Sequence, residues 1–310
     1  MVIFMKNSWF QKKVEEITMD NSSTQQKNEV STDLDFNVRY FKSQLGGSFD
    51  IKYRNCTVGD KDFVFVMVDG MCDSLLITEQ IMNPIINADF SGVENGKVVY
   101  DAADRVSASI DKSITNDLDN AIAELISGNL VMFCNGSQFA VLFGVQNFPK
   151  RTPIEPNTEM QERGSREGFV ESFKDNITML RRRVRSPVFK IETIEVGKTS
   201  KTRACVCYMS DRVNGKTLQK VLNNLKNVEI DTVLGAGYLQ SFLDTPHPSI
   251  FSGVGFTERP DVVTAKMAEG KICIIVDGTP NAIIVPYLFI EHFHSLDDYL
   301  KRPYYATFIR

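Results

Sequence analysis

Hydrophobic and polar positions change their spacing along the chain in an order that predicts strands and helices in turn. Phe36, Val38 and Tyr40 alternate with polar residues and predict a first strand. A later pair of apolar runs flanks Asn135-Gly136, a dipeptide typical of tight hairpin turns. The predicted elements are, in order, strands over 35–42 and 63–68, helices over 74–84 and 115–127, and strands over 130–134 and 139–145.

The same order of elements returns in the second half of the chain. The spacing of the turn residues agrees as well, because Gly128 and Gly136 are eight residues apart, as are Gly270 and Gly278. The repeated elements are strands over 188–196 and 204–209, helices from 215 and over 261–269, and strands over 272–276 and 282–285. We therefore expect an α/β protein with two related subdomains, each a mixed β-sheet packed with helices.

Composition and periodicity divide the chain into four segments. Residues 1–33 are mostly polar toward their end and predict a disordered tail. Residues 34–148 form the first predicted α/β subdomain, and residues 188–310 form the second. Between them, residues 149–187 predict an extended linker followed by an amphipathic helix, whose apolar stripe holds Phe169, Phe173, Ile177, Leu180 and Val184.

Charge and cysteine usage exclude several classes of protein. A net charge of -4, from 35 basic and 39 acidic residues, gives no global field that would hold nucleic acid. The six cysteines are scattered through apolar runs, which favours buried free thiols in a reducing compartment. No apolar stretch reaches the roughly 18 residues that cross a bilayer. Neither Cys205 and Cys207 nor His292 and His294 complete a set of metal ligands.

The search for catalytic and nucleotide-binding motifs is mostly negative. Gly197-Lys198-Thr199 lacks the upstream glycine of a phosphate-binding loop, because position 192 is Glu. No serine or cysteine lies in a nucleophile elbow, so we expect no enzyme and no cofactor. Asp69 and Asp277 each end an apolar strand, where a carboxylate can serve a ligand or simply build an Asp-Gly turn.

The most basic part of the chain is the end of the predicted linker helix. Arg181, Arg182 and Arg183 fall on three successive positions, spread over about 200° of the helix surface. They can complement the helix dipole, or they can dock an acidic partner or anionic lipid headgroups. Because one intramolecular carboxylate cannot serve all three, we expect at least one to be free for a partner.

Five strings together resemble the N-terminal region of the A subunit of GerA-family spore germinant receptors. The resemblance covers about residues 35–310, with departures at Asn135 and at Phe148-Pro149-Lys150. The strings also supply further ligand or interface candidates, namely Arg163, Arg166, Glu167, Glu258 and Arg259. They read VDGMCDSLLITEQIMNPI (68–85), ELISGNLVMFCNG (124–136), RGSREGFVESFKDNITMLRRRVRSP (163–187), TERPDVVTAKMAEGKICIIVDGTPNAIIVP (257–286) and DDYLKRPYYATFIR (297–310).

The resemblance implies a role in germinant sensing, subunit assembly and coupling to ion release during spore germination. The partners that it implies are receptor B and C subunits, other A subunits and a nutrient germinant. It also implies a truncated soluble portion of a protein whose missing C-terminal region lies in the spore inner membrane, with this domain on the cytosolic, spore-core side. The family's two-lobed build is similar to solute-binding modules, so the alternative is a module that holds a germinant between its lobes.

Overall fold

The computed structural model places two compact units, each built around one β-sheet. Contacts assign residues 1–46 and 50–148 to the first unit, and residues 47–49 and 149–310 to the second. The boundary predicted at 187 stays a prediction. The structure describes residues 28–106, 109–147, 165, 167–244 and 252–293.

The first unit has a five-stranded sheet with the order β1-β2-β4-β5-β3 and antiparallel neighbours. Its strands are β1 (Ile51–Val58), β2 (Lys61–Val68), β3 (Lys112–Thr115), β4 (Leu130–Cys134) and β5 (Ala140–Phe143). Its helices are α1 (Leu34–Leu45), α2 (Ser74–Leu76), a π-helical turn (Ile77–Met82), α3 (Asn83–Ile86), α4 (Asn95–Arg105) and α5 (Leu118–Ile126).

The second unit repeats this topology, with the strand order β6-β7-β9-β10-β8 and antiparallel neighbours. Its strands are β6 (Phe189–Val196), β7 (Thr202–Met209), β8 (Gly255–Thr257), β9 (Ile272–Val276) and β10 (Ala282–Val285). Its helices are α6 (Phe173–Arg183), α7 (Gly215–Lys226), α8 (Gln240–Leu243) and α9 (Pro260–Ala268), with 3-10 turns at Ala236–Leu239 and Phe289–Phe293.

The predicted α/β fold with two related subdomains is confirmed, and the sheets are antiparallel where a mixed sheet was expected. Each sheet combines two hairpins, such as β1-β2 and β4-β5, that meet along β2 and β4 in antiparallel register. The fifth strand, β3 in the first unit, pairs with the outer side of β5. Helices cover both faces, because alternate strand residues point to opposite sides. Phe63 and Phe65 pack with α4, whereas Val64 and Val66 pack with α1 and α5.

Equivalent main-chain hydrogen bonds recur inside each of the two units, as the topology does. Helix α9 and strands β9 and β10 each begin 142 residues after their counterparts, at 260 for 118, 272 for 130 and 282 for 140. The hairpin glycines donate to the residue before each helix N-cap, Gly136 to Thr32 and Gly278 to Glu171, both at 2.8 Å. These bonds tie each hairpin to the entry of its helix, so the units are two copies of one structural repeat.

A buried asparagine in α1 and in α6 repeats in the same way. The Asn37 side chain donates to the Ser31 carbonyl at 2.7 Å and accepts from the Ser31 N–H at 2.8 Å. The Asn176 side chain makes the same pair of bonds with Val170, at 2.5 and 2.8 Å. Each amide satisfies both main-chain groups of the residue six positions earlier, which fixes how the chain enters the helix.

Two expectations for the start of the chain require correction. Val30 is buried in the first unit and its N–H donates to the Asn116 carbonyl at 2.8 Å, so the predicted tail over 1–33 can extend no further than residue 27. The strand predicted over 35–42 is part of helix α1. Asp33 caps this helix, and Asn37, Phe41 and Leu45 form its buried face at helical spacing, which outweighs the local alternation.

Candidate functional site

Helix α6 carries three of the ten sequence-predicted ligand or interface residues, Arg181, Arg182 and Arg183. It begins where Ser172 caps the first turn by accepting from the Asp175 N–H at 3.5 Å. Phe173, Ile177 and Leu180 lie four and three residues apart and are buried against the sheet of the second unit, as predicted. The last turn holds three arginines, whose positive charge is favourable beside the unpaired carbonyls at a helix C-terminus.

Arg181 belongs to the core of the second unit. It is 1% exposed, and its Nη1 donates to the Phe189 carbonyl at 3.1 Å. Its guanidinium carbon lies 4.5 Å from the centre of the Phe189 ring, a cation–π contact. Burial, and next the Arg181 charge, lower the pKa of Lys190. Arg181 therefore anchors α6 to β6 and presents no surface to a partner.

Arg182 and Arg183 converge on Glu167. Arg183 Nη2 donates to Glu167 Oε2 at 2.6 Å and to Ser165 Oγ at 2.9 Å, while Arg182 Nη1 lies 3.4 Å from Glu167 Oε1. The Arg183 Nε is buried and has no hydrogen-bond partner among the described residues. We call Ser165, Glu167, Arg182 and Arg183 the arginine cluster.

The arginine cluster presents a guanidinium group at the protein surface. One carboxylate faces two guanidinium groups, and the Arg182 side chain is 40% exposed. Arg185, two residues beyond α6, is also exposed. Guanidinium groups bind carboxylates and phosphates through two parallel N–H donors, so this surface is suited to an acidic group of a partner.

The other candidates in the second unit hold the helix entries in place. Asp277 Oδ1 accepts from the Phe173 N–H at 3.4 Å, and the Glu258 carbonyl accepts from the Phe169 N–H at 2.7 Å. The buried Arg259 binds Asp261 through Nε at 3.1 Å and Nη2 at 2.5 Å. These contacts give the three residues a structural role in the fold.

Three further candidates lie elsewhere. Asp69 follows β2 in the first unit, and its N–H donates to the Asp50 carbonyl at 2.7 Å. Arg163 and Arg166 lie outside the described residues, as does His294. In the part of the chain that the structure describes, no group of side chains could hold a metal ion. No helix in the same part is long and apolar enough to span a membrane.

Sequence reasoning missed a buried ionic group in the second unit. Lys266 Nζ lies 2.6 Å from Glu291 Oε1, and Lys271 also binds this carboxylate. Glu291 Oε2 accepts from the Leu288 N–H at 2.7 Å as well. Burial would raise the pKa of Glu291, but the hydrogen bonds from both lysines outweigh it and lower the pKa to about 2. The lysines are 25 and 20 residues away in sequence, so no local pattern indicates the group.

These features define a class of protein, namely a two-unit α/β domain. One of its helices is packed on a sheet by its apolar face and carries arginines at its C-terminal end. A family model described as "Bacillus/Clostridium GerA spore germination protein" matches residues 39–310. The chain belongs to this family, which confirms the resemblance seen in its sequence.

Curated relatives agree with the family assignment. The chain is 30% identical over 284 residues to spore germination protein KA of Bacillus subtilis (strain 168), covering 91% of this chain and 52% of that protein. It is 31% identical over 278 residues to stage V sporulation protein AF of the same organism, covering 88% and 56%. The chain therefore spans about half the length of these relatives.

A solved structure shows the same fold. The crystal structure of the N-terminal domain of the A subunit of the Bacillus megaterium spore germinant receptor GerK3 superimposes with a TM-score of 0.68. The match has 23% sequence identity and covers 86% of this chain and 99% of that one. The match shows that this chain and that domain share one fold.

Proposed function

We propose that this chain is the N-terminal domain of a germinant-receptor A subunit and acts in germinant sensing, subunit assembly and coupling to ion release. Family membership and the shared fold support this function. Its partners are receptor B and C subunits and other A subunits. The full-length protein lies in the spore inner membrane, with this non-enzymatic domain on the cytosolic, spore-core side.

The exposed Arg182 of the arginine cluster is the observation that supports a docking role for this domain in subunit assembly. Arg181 and the apolar stripe fix α6 on its sheet, so Arg182 is presented from a rigid base. Its side chain stays 40% exposed while it shares Glu167 with Arg183. A complementary acidic surface on a partner would gain a charge-assisted contact there, and the fold itself does not require that contact.

Charge reversal at Arg182 tests this role in the full-length receptor. Arg182→Glu should change the stability of the domain by at most about 1 kcal/mol, because exposed ion pairs contribute about 0–1 kcal/mol. The same variant should reduce recovery of the receptor complex by affinity purification and slow the nutrient response of spores, since it places like charges at the docking surface.

Lys226→Glu is the matched control, because Lys226 is an exposed cation in the last turn of α7 in the same unit. This control should leave both complex recovery and germination unchanged. Normal recovery and a normal nutrient response in spores that carry Arg182→Glu would refute the docking role. Complementing the helix dipole would then be a sufficient account of the arginines.

A further inference from the structure

The two units differ at one equivalent surface, beside the edge strand of each sheet. In the first unit, a groove of about 740 Å³ lies open between α1 and the β1-β2 hairpin. Its apolar lining includes Leu34, Val38 and Tyr53, all partly exposed. Their counterparts in the second unit are Phe173, Ile177 and Ile191, which are 5%, 3% and 0% exposed.

A short segment of the chain covers this surface in the second unit. Residues 47–49 lie along edge strand β6, where the Phe49 N–H donates to the Ile191 carbonyl at 3.1 Å and Ser48 Oγ accepts from the Ile191 N–H at 3.3 Å. The Phe49 ring packs 6.3 Å from that of Phe173. A serine followed by an aromatic residue therefore satisfies the strand edge and fills the groove at once.

Among the described residues of the first unit, no segment corresponding to 47–49 lies along the same edge. Strand β1 is the edge strand of its sheet, and Tyr53 pairs with Val66 as Ile191 pairs with Cys207. Outside the sheet, no hydrogen bond joins the Tyr53 main chain to another described residue. Uncovered edge strands accept extended segments, which add to the sheet by main-chain hydrogen bonds.

The chain contains a second candidate for this role in its N-terminal stretch. Besides Ser48-Phe49, a serine precedes an aromatic residue at three places in the sequence. At two of them, Ser172-Phe173 and Ser241-Phe242, the phenylalanine lies in a helix. The third is Ser8-Trp9. We propose that residues 6–13 of this chain occupy the groove of the first unit, with Ser8 and Trp9 in the places that Ser48 and Phe49 take in the second.

Length and charge fit this occupant. Asn28 is fixed on the first unit, because its carbonyl accepts from the Leu118 N–H at 2.8 Å, and Asp33 already lines the groove. The residues between Trp9 and Asn28 can span about 60 Å at roughly 3.3 Å per residue. The charged groove residues are Asp33, Asp35, Asp62, Lys42 and Arg54, net negative, whereas the segment carries Lys6, Lys12 and Lys13 before its first acidic residue.

Fluorescence of the full 310-residue chain tests the proposal, because Trp9 is the only tryptophan. Docking predicts blue-shifted Trp9 emission that acrylamide quenches weakly. Val38→Asp in the groove should shift the emission to the red and increase quenching. Leu75→Asp, the same kind of change at a 66% exposed leucine of the same unit, should behave as the wild type.

Cysteine alkylation gives a second readout that needs no change in the groove. Cys56 lines the groove, whereas Cys72 does not and serves as a reference in the same chain. Trp9→Ala should speed alkylation of Cys56 relative to Cys72. Water-exposed Trp9 in the wild type, or unchanged Cys56 reactivity in Trp9→Ala, would overturn the proposal. Trp9 burial that rises with protein concentration would also overturn it, in favour of a second copy as the occupant.

Discussion

Alanine substitution of the two equivalent asparagines should affect stability unequally. Asn176→Ala removes two hydrogen bonds to the main chain of Val170, which is buried. Asn37→Ala removes the same two bonds to Ser31, which is partly exposed. The side-chain chemistry and the helix position are identical, so water access to the abandoned main-chain groups is the main difference between the two variants.

The magnitude follows from that difference. A buried polar group left without a partner costs about 1–3 kcal/mol, so losing both partners of Val170 should cost about 2–6 kcal/mol. Where water can replace the lost partner, each bond contributes about 0.5–1.5 kcal/mol net, so Asn37→Ala should cost about 1–3 kcal/mol. Asn223→Ala on the exposed face of α7 controls for the change in helix propensity and should cost less than about 0.5 kcal/mol.

Hydrogen exchange combined with urea unfolding can measure both variants in the intact chain. Strand amides of β2 report on the first unit and those of β7 on the second, so each variant is measured in its own unit even if the two units unfold separately. Asn176→Ala should lower the protection of β7 amides more than Asn37→Ala lowers that of β2 amides. An equal or larger effect of Asn37→Ala would refute the argument from burial.

Four other predictions use the same chain. Phe173→Ala should lower the free energy of unfolding by about 3–5 kcal/mol, measured by urea titration, because it empties a buried aromatic site. Gly278→Val should lower the melting temperature more than Gly164→Val, since Gly278 has a φ of 82° that strains a β-branched residue; equal melting temperatures would contradict this. The pKa of Glu291 is lowered from 4.5 to about 2, because two lysine hydrogen bonds outweigh burial. The ionised Glu291 carboxylate therefore stabilises the fold fully above pH 4.5, and this contribution is lost as the pH falls toward 2. Melting of Glu291→Gln across that window should show a weaker acid dependence than the wild type. Calorimetry with amino acids and sugars tests the solute-binding alternative, and no heat at millimolar concentrations would count against it.

Most of the second unit could be predicted from its sequence, because its buried strands and helices have distinct periods. The runs at β7, β9 and β10 are almost entirely apolar, and α7 shows a clear helical stripe. Edge strand β1 was missed, since its sequence IKYRNCTV is half polar and only its ends are buried. Helix α4 was missed as well, although Val98, Val99, Ala102 and Ala103 form a buried face.

The sequence was sufficient to locate the candidate site but not to predict which of its arginines is exposed. The sequence places three arginines at the end of a helix, yet only the tertiary structure shows that Arg181 stacks on Phe189 while Arg182 stays at the surface. The paired asparagines had a usable signal. Asn37 and Asn176 each lie four residues after the helix N-cap, at Asp33 and Ser172, and such a repeat can be found by comparing the two halves of the chain.

The two copies of the repeat also show where this fold accepts insertions. From the N-cap of the last helix to the end of the last strand, the copies have the same length, 117–143 and 259–285. Between the second and third strands they differ, with residues 69–111 in one copy and 210–254 in the other, and they hold different helices. An added residue within 117–143 or 259–285 would pull the hairpin glycine away from the main-chain carbonyl that it binds at the start of α1 or α6. A tag or reporter should therefore be tolerated between β7 and β8 and disruptive between α9 and β10.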